Sequence, residues 1–284
     1  MFLFTTVPDP SSGCGRHTAD PRGSEEASVE QAGEAADRDA LLGAAMARVP
    51  VTGGAEVAVA ALDPASGASA AWGAGRFETA SIVKVGILAA LLLRAGDAGR
   101  EPTVAERAHA AAMIVRSDND SASALWRAIG GARGLDAAHE RLGLTRTEGG
   151  EGTLWGLTRT TAVDQVALLR QLFVADGSLL GGDARACVTG LMGRIADGQR
   201  WGVSAAADGS AWALKNGWLR RSTTGLWVVN SVGRVTSGGR DRLVAVVSRG
   251  SATLAEGISL VEAAARAAVS ATGAGGPGAG QKSS

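Results

Sequence analysis

An almost unbroken run of apolar residues, Ile82 to Leu93, constrains the fold of this chain more than any other segment. A helix over this run is apolar on all sides, so it has to lie inside a core and not on its surface. It is shorter than the roughly 20 residues that a bilayer-spanning helix needs. The sequence therefore predicts a buried central helix that begins near Ser81 and ends before Gly96.

Strand patterns lie towards both ends of the chain, and helical patterns lie between them. The strand patterns are Glu56–Asp63, Ser69–Trp72, Ser210–Leu214, Gly225–Val232 and Arg242–Arg249. Because early and late strands have to share one sheet, the chain predicts an α/β (α+β) fold. We expect an antiparallel sheet built from N- and C-terminal strands and covered by helices, with an inserted all-α lobe.

The helical patterns and the composition together predict one domain with a tail at each end. Besides the central helix, the helical patterns are Ala40–Arg48, Thr103–Val115, Asp118–Ile129, Gly134–Leu142, Ala162–Phe173, Asp183–Asp197 and Ala255–Val269. A Gly-rich loop without periodicity covers residues 143–158. Residues 1–39 are rich in small residues and acids and predict a disordered leader. The expected domain spans residues 40–272, and a disordered Gly-rich tail is expected over residues 273–284.

The charge balance gives no indication of nucleic acid or an anionic membrane as a partner. The chain holds 28 basic and 28 acidic residues. The first 40 residues carry eight of the acids and three arginines, so the remainder is mildly basic, which suits a ligand with a carboxylate. Three histidines (His17, His109, His139) and two cysteines (Cys14, Cys187) form no metal-binding pattern, and no metal or cofactor is implied.

The residues at the start of the apolar run, Ser81-Ile82-Val83-Lys84, predict a nucleophile beside a base. Ser81 precedes the helix, and Lys84 projects from the same face one turn later. A serine hydroxyl needs a base to take its proton, and a lysine acts as that base only where burial or a second cation lowers its pKa. A helix cap followed by a solvated lysine is the simpler interpretation of the tetrapeptide alone. The apolar surroundings favour the reactive pair.

Two further strings follow in the order that such a site needs. Ser117-Asp118-Asn119 precedes a helix, where these residues also serve as ordinary caps. Lys215-Asn216-Gly217 ends a strand pattern, where Asn-Gly also favours a hairpin turn. In a reactive site, Lys215 would hold a substrate carboxylate, and Gly217 would allow close backbone approach.

With these three strings the chain resembles the class A β-lactamases of the penicillin-recognising serine hydrolases, over roughly residues 40–269. Further similarities are Phe77, Ile129-Gly130-Gly131, Thr160-Thr161 and Leu168-Leu169-Arg170. The resemblance implies that Ser81 forms an acyl-enzyme with a β-lactam or D-alanyl amide, with Lys84 and Ser117 as the other catalytic residues. It also implies that Asn119, Lys215, Asn216, Gly217 and Trp218 bind the substrate, with the oxyanion between the backbone N–H groups of Ser81 and Trp218. The chain contains no Tyr, which excludes the sister branch with a Tyr-x-Asn base.

The chain departs from the class A pattern in several places. Asn216 replaces a hydroxyl residue, Trp218 is bulky where the family has a small residue, and Ser81 lies only 36 residues before Ser117. The family's deacylating loop reads E-x-x-L-N. Here Glu151 and Leu154 match, but Trp155 replaces the Asn, so both a catalytic and a solvated Glu151 stay open. Arg220 and Arg221 are equally well explained as carboxylate-steering or as surface residues.

Two other functions remain as alternatives. One is a D-alanyl-peptide-directed penicillin-binding protein, or a slowly deacylating sensor of β-lactams or muropeptides. The other is a Ser-His-Asp hydrolase, which is disfavoured because the chain has no G-x-S-x-G elbow and no motif around His109 or His139.

The resemblance implies an extracytoplasmic location, secreted or lipid-anchored, and we expect a monomer without a transmembrane segment. The apolar N-terminus lacks the basic region and length of a signal peptide. Ser11-Ser12-Gly13-Cys14 faintly resembles a lipoprotein cleavage site, although a coincidental cysteine in a linker explains it as well.

Overall fold

The computed structural model describes residues 21–209 and 211–273, and the side chains among them from residue 33 onward. In chain order its helices and strands are α1 (Pro21–Met46), β1 (Glu56–Leu62), β2 (Ser69–Trp72), β3 (Phe77–Glu78), α2 (Val83–Asp97), α3 (Val104–Val115), α4 (Asn119–Ile129), α5 (Gly131–Arg141), β4 (Arg159–Thr160), α6 (Ala162–Phe173), α7 (Gly182–Met192), β5 (Trp212–Arg220), β6 (Trp227–Ser237), β7 (Arg240–Ser251) and α8 (Leu254–Gly273).

Five strands form one antiparallel sheet in the order β2-β1-β7-β6-β5. The early strand β1 pairs with the late strand β7 along its whole length, from Glu56 opposite Arg249 to Leu62 opposite Leu243. The two ends of the chain therefore share a sheet, as the sequence predicted, and helices α2 to α7 are inserted between β2 and β5. The predicted fold class is confirmed. Strands β3 and β4 form a separate two-residue pair that no sequence pattern indicated.

Strand alternation divides the interior into two cores, one on each face of the sheet. On β1, Val57, Val59 and Ala61 pack with α1 and α8, whereas Ala58 and Ala60 pack with the helical lobe. Helix α2 occupies the centre of the second core, and every residue from Val83 to Leu93 is buried. The expectation of a central, almost entirely apolar helix is confirmed, although α2 continues past Gly96 to Asp97. Its burial fixes the position of the residues at its N-terminus.

Several boundaries differ from the sequence predictions. Helix α1 begins at Pro21, inside the segment predicted to be disordered. Strand β5 continues to Arg220, so Lys215-Asn216-Gly217 lies within a strand and not in a hairpin turn. Cys14 and residues 274–284 lie outside the described residues. No helix in the described part of the chain is long and apolar enough to cross a bilayer.

His139 of α5 is buried against α2, and neither ring nitrogen has a hydrogen-bond partner among the described residues. A Cβ on Gly86 of α2 would lie 2.6 Å from His139 Nε2, so the glycine makes room for the ring. Burial lowers the pKa of His139 from 6.5 to about 4. The imidazole is therefore neutral in the folded protein throughout the physiological range.

We expect His139 to destabilise the fold in acid. Below pH 6.5 the unfolded chain binds a proton that the folded chain excludes, so the free energy of unfolding falls as the pH drops towards 4. The total loss from this group is about 3 kcal/mol. The free energy of unfolding is measured by urea titration at pH 7.5 and at pH 4. Between these two pH values, the decrease for His139→Leu should be smaller than the decrease for wild type by about that amount. His109→Gln, at an exposed histidine, is the matched control and should behave like wild type. Equal losses in all three proteins would contradict the assignment.

Candidate active site

Ser81 lies in a 3₁₀ turn, Ala80–Ile82, that leads directly into α2. Ala80 has φ of +46°, a strained value for a residue with a side chain, and such strain clusters at functional sites. Asn230 of β6 holds the preceding backbone, because its Nδ2 donates to the carbonyl oxygens of Glu78 (2.8 Å) and Thr79 (2.9 Å). Its only sequence signal was a polar residue inside an apolar strand pattern, and the sequence analysis missed it.

Strand β5 passes unusually close to this turn at Gly217. A Cβ there would lie 2.7 Å from the backbone nitrogens of Ser81 and Ile82. Only glycine lets the two backbones approach in this way. The close approach sets β5 at Gly217, the residue before Trp218, against the backbone nitrogen of Ser81.

Lys84 is fully buried, although the simplest interpretation of its tetrapeptide left it solvated. Its Nζ donates to the carbonyl oxygen of Ser117 (2.7 Å), to Ser117 Oγ (3.0 Å) and to Asn119 Oδ1 (2.8 Å). Burial lowers the pKa of Lys84 to about 8, against a smaller opposing effect of Asp118. A lysine in this state can give up its proton near neutral pH and act as a base.

Lys215 is also fully buried and reaches the same hydroxyl from the opposite side. Its Nζ donates to Ser117 Oγ (3.1 Å) and to the carbonyl oxygen of Asn216 (2.8 Å). Burial, and then the nearby Lys84 ammonium, lower the pKa of Lys215 to about 7. Two cationic groups thus converge on one serine hydroxyl, and together they release a proton more readily than isolated lysines.

The three side chains of Ser117-Asp118-Asn119 make different contacts. Ser117 has φ of +58°, which turns its hydroxyl and its carbonyl oxygen towards the two lysines. Asp118 caps α4 by accepting from the backbone N–H of Ser121 (2.7 Å). Asn119 is exposed and uses Oδ1 on Lys84, so its amide nitrogen faces no partner among the described residues and can contact a substrate.

Asn216, which the sequence predicted as a substrate-binding residue, makes its side-chain hydrogen bonds to a neighbouring loop. It is buried, and its Nδ2 donates to the carbonyl oxygens of Gln199 (2.8 Å) and Trp201 (3.0 Å). The amide therefore holds the loop that precedes β5. Gln199 Oε1 in turn lies 3.5 Å from Lys215 Nζ. Gln199 and Trp201 are site residues that the sequence analysis missed, because nothing local marks a loop 15 residues away as a neighbour.

The loop that in part resembles the family's deacylating loop presents a tryptophan to the site. Glu151 is exposed, and among the described residues its side chain makes no hydrogen bond or ion pair. Instead the ring of Trp155 lies 4.9 Å from Lys84 Nζ, held by a bond from its Nε1 to Ser123 Oγ (3.2 Å). The position next to Lys84 is thus aromatic and not acidic.

The two arginines after Trp218 make structural contacts. Arg220 donates to the carbonyl oxygen of Gly225 (2.8 Å) within the β5–β6 hairpin. Arg221 lies 4.0 Å from Glu78, in a weak ion pair. Both interactions favour the interpretation of these arginines as surface residues.

Comparisons with known proteins identify the family and the fold. A family model described as the β-lactamase enzyme family matches residues 93–272. PBP-A has a TM-score of 0.70 at 20% identity, with 82% of this chain and 95% of that chain covered. A class A β-lactamase from Bacteroides cellulosilyticus DSM 14838 has a TM-score of 0.71 at 15% identity, covering 82% and 98%. The extended-spectrum β-lactamase TLA-3 has a TM-score of 0.71 at 16% identity, covering 81% and 97%. No curated protein matches the sequence.

The matched segment begins after Ser81 and Lys84 and includes Ser117 and Lys215. It covers more than half of the chain, and the structural neighbours have the same fold over most of their length. Lys84 lies before the matched segment and is hydrogen-bonded to Ser117 within it. The chain belongs to the β-lactamase enzyme family.

Proposed function

We propose that this protein is a serine hydrolase that forms an acyl-enzyme through Ser81 with β-lactams or related amides. One observation carries the proposal: Lys84 and Lys215, both fully buried, converge on the Ser117 hydroxyl at 3.0 and 3.1 Å. Burying two lysine side chains lowers the stability of the fold, so their burial favours a functional role. One helical turn separates Lys84 from Ser81.

In the proposed reaction Ser81 Oγ attacks the carbonyl carbon of the substrate amide while Lys84, as the neutral amine, takes the hydroxyl proton. The negative charge on the carbonyl oxygen is stabilised by the backbone N–H groups of Ser81 and Trp218. Ser117 then gives its proton to the leaving nitrogen, the C–N bond breaks, and Ser117 regains a proton from the lysine pair. Lys215 binds the substrate carboxylate.

The geometry favours slow deacylation, as in a penicillin-binding protein or a sensor that stays acylated. Water needs a base to attack the acyl-enzyme, and the loop places the Trp155 ring beside Lys84 where a carboxylate would be required. A variant of the structurally similar PBP-A has been solved as an acyl-enzyme complex with penicillin G, at 21% identity. We infer that acylation is efficient here and that hydrolysis is the slow half of the reaction.

We expect the acyl-enzyme lifetime to respond to Trp155 and not to Glu151. Intact mass spectrometry after a pulse of penicillin should show a long-lived adduct on wild type, and an equally long-lived one on Glu151→Gln. Trp155→Glu places a carboxylate beside Lys84 and should shorten the lifetime about tenfold or more, whereas Trp155→Phe keeps an aromatic ring there and should resemble wild type.

Rapid loss of the adduct from wild type, with many turnovers of a chromogenic cephalosporin per site, would end the slow-deacylation proposal. If the adduct were long-lived on Glu151→Gln but not on wild type, Glu151 would be identified as the deacylating base.

A further inference from the structure

Trp201 and Trp218 form a paired aromatic wall at the edge of the site. Their ring centroids lie 5.7 Å apart with the planes tilted by 60°. Both side chains are half-buried, so part of each indole stays open to solvent. Half-exposed tryptophans next to a reactive group are common at binding sites, because they bury much apolar area with little loss of side-chain entropy.

The wall adjoins both the nucleophile and the carboxylate anchor. Trp218 follows Gly217, whose backbone packs against the backbone nitrogen of Ser81. Trp201 is linked to the strand residues next to Lys215, because its carbonyl oxygen accepts a hydrogen bond from the side chain of Asn216. Trp218 lies three residues after Lys215 on β5, about 10 Å along the strand, so a ligand whose carboxylate is held at Lys215 can extend to the two indoles.

The loop that carries Trp201 is held in place before any ligand arrives. Gly202 has φ of +86°, and a Cβ there would lie 2.3 Å from Ser231 Oγ. Ser231 Oγ also accepts from the backbone N–H of Val203 (2.9 Å). Because the loop is fixed on both sides of Trp201, a ligand does not have to order it, and stacking contributes fully to affinity.

We propose that Trp201 and Trp218 form an aromatic subsite that binds a flat, conjugated substituent on the carbon next to the substrate's carboxylate. The inference rests on the proposed function, which supplies Lys215 as the carboxylate anchor. It specifies the substrate class further: the site prefers carboxylate ligands with a planar group on the carboxylate side over compact ones.

The test uses two cephalosporins that share one acyl side chain and differ in the substituent beside the carboxylate, a styryl group in one and a methyl group in the other. Their dissociation constants are measured calorimetrically in the Ser81→Ala background, where no acyl bond can form. The styryl compound should bind about tenfold more tightly than the methyl compound. Trp201→Leu should reduce that preference to below about twofold, and Trp201→Phe, which keeps a ring, should retain most of it.

Trp72→Leu, at a half-buried tryptophan on the opposite edge of the sheet, is the matched control and should keep the full preference. Thermal unfolding shows whether each variant is folded. Equal binding of the two compounds to Ser81→Ala, or tighter binding of the methyl compound, would overturn the subsite. Selective styryl binding with no acylation of the protein that retains Ser81 would instead overturn the proposed function and leave the subsite intact.

Discussion

Replacing Ser81 by alanine is expected to abolish covalent labelling by a fluorescent penicillin, because Ser81 is the proposed nucleophile and lies one helical turn before Lys84. Wild-type protein should be labelled to about one equivalent and Ser81→Ala to none, measured by in-gel fluorescence and by intact mass. The substitution removes one oxygen atom from a half-buried position, so stability should change little.

Ser270→Ala, at an exposed serine of α8, controls for substitution of serine in general and should label like wild type. Equal labelling of wild type and Ser81→Ala would remove Ser81 as the nucleophile, whatever the fold resembles.

Replacing Lys84 by methionine is expected to slow acylation by about 10²–10⁴-fold, the usual contribution of a general base. Methionine fills a similar volume without the amine, so the surrounding helix can keep its packing. The measurement is the second-order rate constant of labelling, with circular dichroism as the check on folding. If the variant is unfolded, its loss of labelling says nothing about the role of Lys84. The pH profile of acylation by the wild type tests that role independently.

The sign of that pH profile follows from the two lysines. Burial lowers the pKa of Lys84 to about 8 and that of Lys215 to about 7, and only a neutral amine can accept the serine proton. Acylation by wild type should therefore rise about tenfold per pH unit as the pH increases towards 8 and level off where Lys84 becomes neutral. A rate that is flat between pH 5.5 and pH 8, or a Lys84→Met variant that acylates at the wild-type rate, would contradict the role of Lys84.

Local patterns predicted the parts of the structure that depend on local physics. Helix α6 runs over Ala162–Phe173 as its periodicity indicated, since a Thr161 cap and an apolar face are both visible in the sequence. The start of α1 was missed because a polar, Ala-rich segment is as compatible with disorder as with a helix. The β3–β4 pair was missed because two residues are too short to show a period.

For the site, the sequence by itself determined the candidate groups: Ser81, Lys84, Ser117 and Lys215 carry the hydroxyls and amines that the proposed acyl transfer uses, in an order set by the chain. The tertiary structure alone decided the burial of these groups, the pKa of the lysines and the partners of the side chains. Burial from distant elements lowers the pKa of both lysines, and a loop remote in sequence places Trp155 beside Lys84 while Glu151 stays in solvent. Asn216 likewise turns to the Gln199–Trp201 loop. The physical reason is that residue type and helical period are local properties, whereas desolvation and side-chain partners depend on contacts between residues far apart in the chain.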